Sequence, residues 1–220
     1  MDAQQHTERE PSAFRMIATL GVAGFLAGVI LVSIFQWTKP MIDQHRADAL
    51  EAAIFEVLEG AHTYTTLRVE GESLAIVEGE TDQPTIYAGK DSTGTLIGFA
   101  IPNEATGYQD IISVLFGYDP VAKKVVGMEV LESKETPGLG DKIYKDDDFV
   151  AQFADLAVAQ GIQAVKPGEK TAENQVITIT GATISSATVV DIINNGLAEW
   201  QSRIDNYLAE SETMAQNDTP

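Results

Sequence analysis

The stretch IISVLFGYDPVAKKVVGMEVL, residues 111–131, sets two β-rich apolar runs on either side of the polar segment DPVAKK. Val, Ile, Phe and Tyr favour pleated strands and Asp-Pro favours a turn, so the chain doubles back here as an antiparallel hairpin. The same texture runs upstream from Tyr64: TLRVE (66–70), SLAIVEG (73–79), TIYAG (85–89), the turn DSTG (91–94), then TLIGFAI (95–101). Downstream the pattern changes. Asp146, Asp147 and Asp148 precede FVAQFADLAVAQ (149–160), where Phe149, Phe153, Leu156 and Ala157 recur at helical spacing. Acids in a first helical turn suit the macrodipole, and no EF-hand spacing follows them, so they read as cap and first-turn residues. QVITI (175–179) reads as a short strand. From Ile184 on, Val189, Ile193, Leu197, Trp200, Ile204 and Leu208 mark a long amphipathic helix, with residues 209–220 as a disordered tail. Strands followed by packed helices give an α+β domain.

Ahead of this domain, MIATLGVAGFLAGVILVSIFQWT (16–38) holds no charge over 23 positions. A helix of that length covers a hydrocarbon core of about 30 Å. Arg15 and Lys39 bracket it, Trp37 is placed as an interfacial aromatic, and Pro40 is expected to close it. The residues that follow do not make a signal-peptidase site, so the segment reads as an uncleaved single-pass anchor. Residues 1–15 form a short tail before it. Residues 43–59, with Ala47, Leu50, Ile54, Val57 and Leu58 at three- and four-residue spacing, form a juxtamembrane helix ended by Gly60, and residues 60–208 form the globular domain. Arg9 and Arg15 before the span balance Lys39 and Arg46 after it, so charge does not fix the orientation.

Residues 1–39 carry three acids and three bases, so the whole net charge of −19 lies in residues 40–220. Such a surface repels phosphate backbones and anionic headgroups, which argues against nucleic-acid binding and against lying flat on a membrane. The chain has no cysteine, which excludes disulfides, thiolate-held clusters and Cys nucleophiles. His6, His45 and His62 are scattered, with no metal-ligand spacing, so no metal site is expected.

Two loops can carry chemistry. TITGATISS (178–186) packs five hydroxyl side chains around one glycine and one alanine. A strand from Val176 to Ile179 feeds a turn at Thr180, Gly181 and Ala182 and enters a helix at Thr183. That geometry aims backbone N–H groups and a helix dipole at the space above Thr183, which suits a phosphate. A plain capping turn uses the same residues. The stretch lacks both the P-loop lysine and the dinucleotide fingerprint. The second loop, ESKETPGLGDKIYKDDDF (132–149), is made rigid and bare-backboned by Pro137, Gly138 and Gly140, with Leu139 at its tip. It can lie against a flat aromatic ligand or be an ordinary surface turn.

Together TGATISS and ETPGLGDKI resemble the paired signatures of the FMN-binding subunits of ion-translocating electron-transport complexes. These are the G subunit of the Rnf type and the related C subunit of the sodium-pumping NADH:quinone reductase; the wording KETPGLGDKI is more similar to the G subunit. The resemblance covers most of the chain. It implies a covalent flavoprotein in which FMN is attached by a phosphoester to Thr183. Thr180, Gly181, Ala182, Ser185 and Ser186 would then lie about the phosphate, and Glu135, Thr136, Gly138, Leu139 and Gly140 would belong to the cofactor site. Position 178, two residues before the motif, carries Thr where such sites usually carry an acid. The resemblance further implies an inner-membrane protein with its domain on the periplasmic or extracellular side. Its partners would be a flavin-attaching transferase and other membrane subunits, and its task electron relay in a complex coupling ferredoxin:NAD electron transfer to Na⁺ or H⁺ transport, with no turnover by this chain alone. The alternatives are the quinone-reductase C subunit and a cofactor-free, membrane-anchored assembly module. A hydrolase using Thr183, Ser185 or Ser186 is disfavoured, because G-x-S-x-G is absent and no histidine lies nearby in sequence.

Overall fold

The computed structural model describes residues 12–77, 79, 81 and 83–217. The chain divides into two units, Met1–Asp48 and Ala49–Pro220. The described residues of the first unit are helical from Ala13 on. Helix α1 (Ala13–Val57) starts there, and an 18-residue window of mean hydropathy 2.4 makes it long and apolar enough to cross a membrane. Pro40 does not close the helix; it lies inside α1, so the expected separate helices 16–38 and 43–59 are one. Proline deletes one backbone N–H and crowds the preceding turn, a defect that helices in apolar surroundings tolerate. Of the expected N-terminal tail, Ala13–Arg15 are helical and residues 1–11 lie outside the described residues.

The second unit begins with the last turns of α1. Leu58 N–H still bonds the Ile54 carbonyl, after which Gly60 at φ +90° turns the chain away, as glycine does past a helix end. Six strands follow, β1 (Thr63–Glu70), β2 (Ser73–Ile76), β3 (Thr85–Lys90), β4 (Leu96–Thr106), β5 (Ile111–Asp119) and β6 (Lys124–Ser133). With β7 (Leu156–Ala157) they make an antiparallel sheet in the order β2-β1-β3-β4-β5-β6-β7. The two turns read from sequence are held by their aspartates. Asp91 accepts from Thr93 and Thr95 N–H, and Asp119 accepts from Val121 and Ala122 N–H.

Between β6 and β7 lie α2 (Lys142–Lys145), α3 (Asp147–Val150) and a 3₁₀ turn, Ala151–Phe153. Asp146 does cap α3, accepting from Phe149 N–H, but the expected helix 149–160 stops early. The Phe149 and Phe153 rings meet at 5.3 Å as helical spacing requires. Leu156 and Ala157 instead pair with Val125 and Lys124, beside the 2.8 Å Lys124–Asp155 ion pair. Short apolar runs fit either period, and here strand pairing wins. The chain then forms a small parallel sheet from β8 (Gln163–Val165) and β9 (Gln175–Ile177) and enters α4 (Thr183–Asn217). The expected disordered tail is helical as far as Asn217, and residues 218–220 lie outside the described residues. Asn206 donates to the Glu72 carbonyl and Ser73 to Glu210, fastening this end of α4 to the β1–β2 turn.

Helix α4 covers one sheet face. Val189, Ile192, Ile193, Leu197, Trp200 and Ile204 pack there on Phe99, Ile101, Val114, Phe116 and Val125. The other face takes Ala53, Ile54, Val57 and Leu58, which pack on Ala100 and Leu115. That seat is paved with glycine: a Cβ at Gly117 would lie 2.2 Å from the Val57 carbonyl oxygen, and one at Gly127, the cross-strand partner of Gly117, 3.0 Å from Val57 Cα. The long face of α4 thus fixes where its N-terminus emerges.

Candidate functional site

The two loops singled out in the sequence meet. A cleft of about 350 Å³ is lined by Tyr108, Glu135, Thr136, Leu139 and Gly140 on one side and by Gly181, Ala182, Thr183, Ile184 and Ser185 on the other. That volume lies within the range of roughly 300–1,000 Å³ common for small-molecule sites. Gly181 has φ +87°, the left-handed conformation that lets β9 turn into α4, and the Leu139 side chain stands 3.5 Å from where its Cβ would be.

The five hydroxyls divide sharply. Thr183 is exposed at the start of α4, and its hydroxyl makes a long 3.5 Å bond to the Ile179 carbonyl. Ser185, 2% exposed, donates to Glu135 Oε2 at 2.6 Å. Ser186, fully buried, donates to the Ala182 carbonyl and accepts from Ile179 N–H, so it staples the turn from inside and does not reach the cleft. Thr178 is buried too, and both its N–H and its hydroxyl donate to the Val165 carbonyl. Thr180 is exposed but lines a separate groove beside Lys142 and Lys170. The structure therefore leaves Ser186 and Thr180 outside the cleft, contrary to the arrangement expected about a phosphate. The N–H groups in the first turn of α4 have no carbonyl of their own helix to bond, so the cleft wall at Thr183 is electropositive.

The glycine-rich loop is fixed by its own carboxylates. The Thr136 carbonyl accepts from Leu139 and Gly140 N–H, and Asp141 accepts from Gly138 N–H at 2.7 Å while pairing with Lys145 at 2.7 Å. Gly138 is thereby engaged with Asp141 and is not among the cleft-lining residues. The Lys145 ammonium, followed by the Gly138 N–H against the opposing effect of burial, holds the Asp141 carboxyl below its ordinary value. Glu135, 5% exposed, accepts from Ser185 and from Gln109 N–H at 2.9 Å. Burial pushes its carboxyl up, yet the bonds from Ser185 and from the Gln109, Asp110 and Tyr108 N–H groups prevail and hold it below the usual glutamate value. Thr136 adds a hydroxyl bond to the Gln109 side chain at 2.9 Å. Sequence reasoning missed the contribution of the β4–β5 turn, Gly107 to Asp110. Its Tyr108, 70% exposed, joins Leu139 and Ile184 as the apolar surface of the cleft. The residues GYQD look like any polar turn, and nothing local shows that they face residues 135–140.

Residues 107–198 match the model of the FMN-binding domain, a span that starts at this turn and contains every cleft residue. Over 186 residues the chain is 29% identical to the G subunit of the ion-translocating oxidoreductase complex of Methanosarcina acetivorans, covering 83% of this chain and 92% of the relative. It is 28% identical over 178 residues to the G subunit of the proton-translocating ferredoxin:NAD(+) oxidoreductase complex of Clostridium ljungdahlii, with 81% and 86% covered. The resemblance to the G subunits holds. The fold is also that of NqrC from Shewanella oneidensis (TM-score 0.55, 15% identity, covering 69% of this chain and 87% of that one). The C subunit of the Na(+)-translocating NADH-quinone reductase of Parabacteroides distasonis is similar as well (TM-score 0.53, 22% identity, 64% and 77%).

Proposed function

We propose that this chain is a membrane-anchored flavoprotein subunit that relays electrons in an Rnf-type complex, with FMN esterified through its phosphate to Thr183. One observation carries the reading: the Thr183 hydroxyl is exposed at the N-terminus of α4, on the wall of a cleft shared with the glycine-rich loop. The residues present fit the group. Thr183 Oγ1 would supply the ester oxygen, the first-turn N–H groups of α4 would face the phosphate charge, and Gly181 and Ala182 would leave it room. Leu139, Tyr108 and Ile184 would give the flat ring apolar surface. FMN, when bound, supplies the capacity to pass electrons singly or in pairs. The chain itself holds and orients the group, and it needs no substrate pocket for this task.

Helix α1 would span the inner membrane once, with the flavin domain on the periplasmic or extracellular side. Anchoring keeps that domain near other membrane subunits at high effective concentration without a tight interface. A transferase would attach the flavin, and the complex would couple ferredoxin:NAD electron transfer to ion transport. The names of the sequence relatives favour the G subunit over the quinone-reductase C subunit, and co-purifying neighbours separate the two.

The test is a denaturing gel of the chain, made in cells containing the transferase and viewed under ultraviolet light, with mass analysis of the peptide from Gln175 to Arg203. A fluorescent band with an FMN adduct on Thr183 is expected. Thr183→Val keeps the shape and removes the oxygen, so it should abolish the label while leaving the melting temperature nearly unchanged. A dark wild-type band would overturn the reading in favour of a cofactor-free module.

A further inference from the structure

The cleft holds a buried charge that its hydrogen bonding alone does not require. Glu135 lies in a slot shaped by two glycines: a Cβ at Gly107 would come within 2.6 Å of Glu135 Oε1, and one at Gly140 within 2.7 Å of Oε2. From this slot one side chain joins three segments, its own loop, the β4–β5 turn through Gln109 N–H, and α4 through Ser185. A neutral glutamine could make the same links. Its oxygen would accept from Gln109 N–H and its amide would donate to the Ser185 hydroxyl, which can switch from donor to acceptor. A carboxylate costs more to bury than an amide. Among the described residues, moreover, its partners are neutral and no lysine or arginine pairs with it. The nearby Lys134 serves Asp110 and Glu132, and Lys145 serves Asp141. Neutral donors stabilise the charge without cancelling its field.

We propose that Glu135 is a positioning residue with an electrostatic role: it locks the cleft together and keeps in its wall a negative charge that no lysine or arginine among the described residues offsets, which lowers the reduction potential of the flavin held there. This rests on the flavin reading of the cleft. Reduction adds electrons to the flavin, and a fixed negative charge in a poorly solvated wall opposes that addition more strongly than it would in water.

The test is a redox titration of the flavin-loaded full chain, followed by flavin absorbance, for wild type, Glu135→Gln and Ser185→Ala, with gel fluorescence scored in parallel. Glu135→Gln should retain the covalent label and shift the potential upward. Ser185→Ala, which keeps the charge and cuts the link to α4, should leave the potential near the wild-type value. An unchanged potential in labelled Glu135→Gln overturns the role of the charge while the flavin reading stands. An equal upward shift in Ser185→Ala assigns the effect to loosening and overturns it too. A wild-type chain with no covalent flavin removes the flavin reading and the inference together, a result visible on the gel before any titration. If Glu135→Gln does not accumulate folded, the infrared difference between oxidised and reduced wild type decides. A glutamate-carboxylate band displaced by reduction supports the inference, and its absence overturns it.

Discussion

The two faces of the large sheet are held by opposite means. Beneath α4 the sheet offers bulk, with Phe99, Ile101, Val114 and Phe116 filling the space, and a Cβ at Gly196 of α4 would come within 2.9 Å of the Phe116 ring. Beneath the end of α1 it offers emptiness, since Gly117 and Gly127 let the Val57 backbone almost touch the strands. One face is stabilised by the area removed from water. The other is stabilised by how closely backbone meets backbone, so it fails when something is added rather than removed.

The adjacent residues Phe116 and Gly117 point to opposite faces and make the sharpest contrast. Phe116→Ala should have the largest effect, about 3–5 kcal/mol of stability, because a cavity remains under α4. Gly117→Ala should cost about 3 kcal/mol, at the upper end of what an extra methyl costs in a packed site, because its Cβ meets backbone that has no rotamer to yield. Urea unfolding of both variants checks this, and a neutral Gly117→Ala would break the comparison.

The smallest effect sharpens it. Glu129, on β6, is pushed above the ordinary glutamate value first by burial and then by the charge of Glu56 on α1. An acid with a raised folded-state pKa contributes most below its ordinary value of 4.5 and loses that contribution as pH rises through the folded value. Glu129→Gln should therefore stabilise the protein slightly at neutral pH, with the gain vanishing as pH falls toward 4.5. Glu135 at the cleft has the opposite sign. Its lowered pKa contributes above the ordinary value, and that contribution is lost as pH falls through the folded value. Melting temperatures across pH for wild type and Glu129→Gln separate the two trends.

The sequence alone disclosed much of this architecture, unevenly. The runs around DPVAKK and DSTG became β3 to β6 because alternating apolar residues and aspartate-led turns are local signals. The role of Gly117 and Gly127 was invisible, since it depends on a helix some 60 residues away in sequence. Leu156 and Ala157 misled because two residues cannot show a period. At the cleft, Thr183 and Leu139 were legible as loop features. Ser186 was not, because its neighbours 179 and 182 bend back upon it, and which hydroxyls face inward is decided by the turn rather than by composition.

The packing of α4 also bears on the order of events during synthesis. The residues that close the core, Val189 to Ile204, come from the last quarter of the described chain, and α4, the helix that carries them, contacts β2, β4, β5 and β8. A nascent chain emerging from the ribosome through β6 has strands ready to pair and the end of α1 for one face, but nothing to cover the face that α4 takes. Thr183 opens the very helix that completes the fold, so its hydroxyl acquires its surroundings only when that helix docks. A modifying enzyme that reads those surroundings would pass over the half-made chain and act on the finished one.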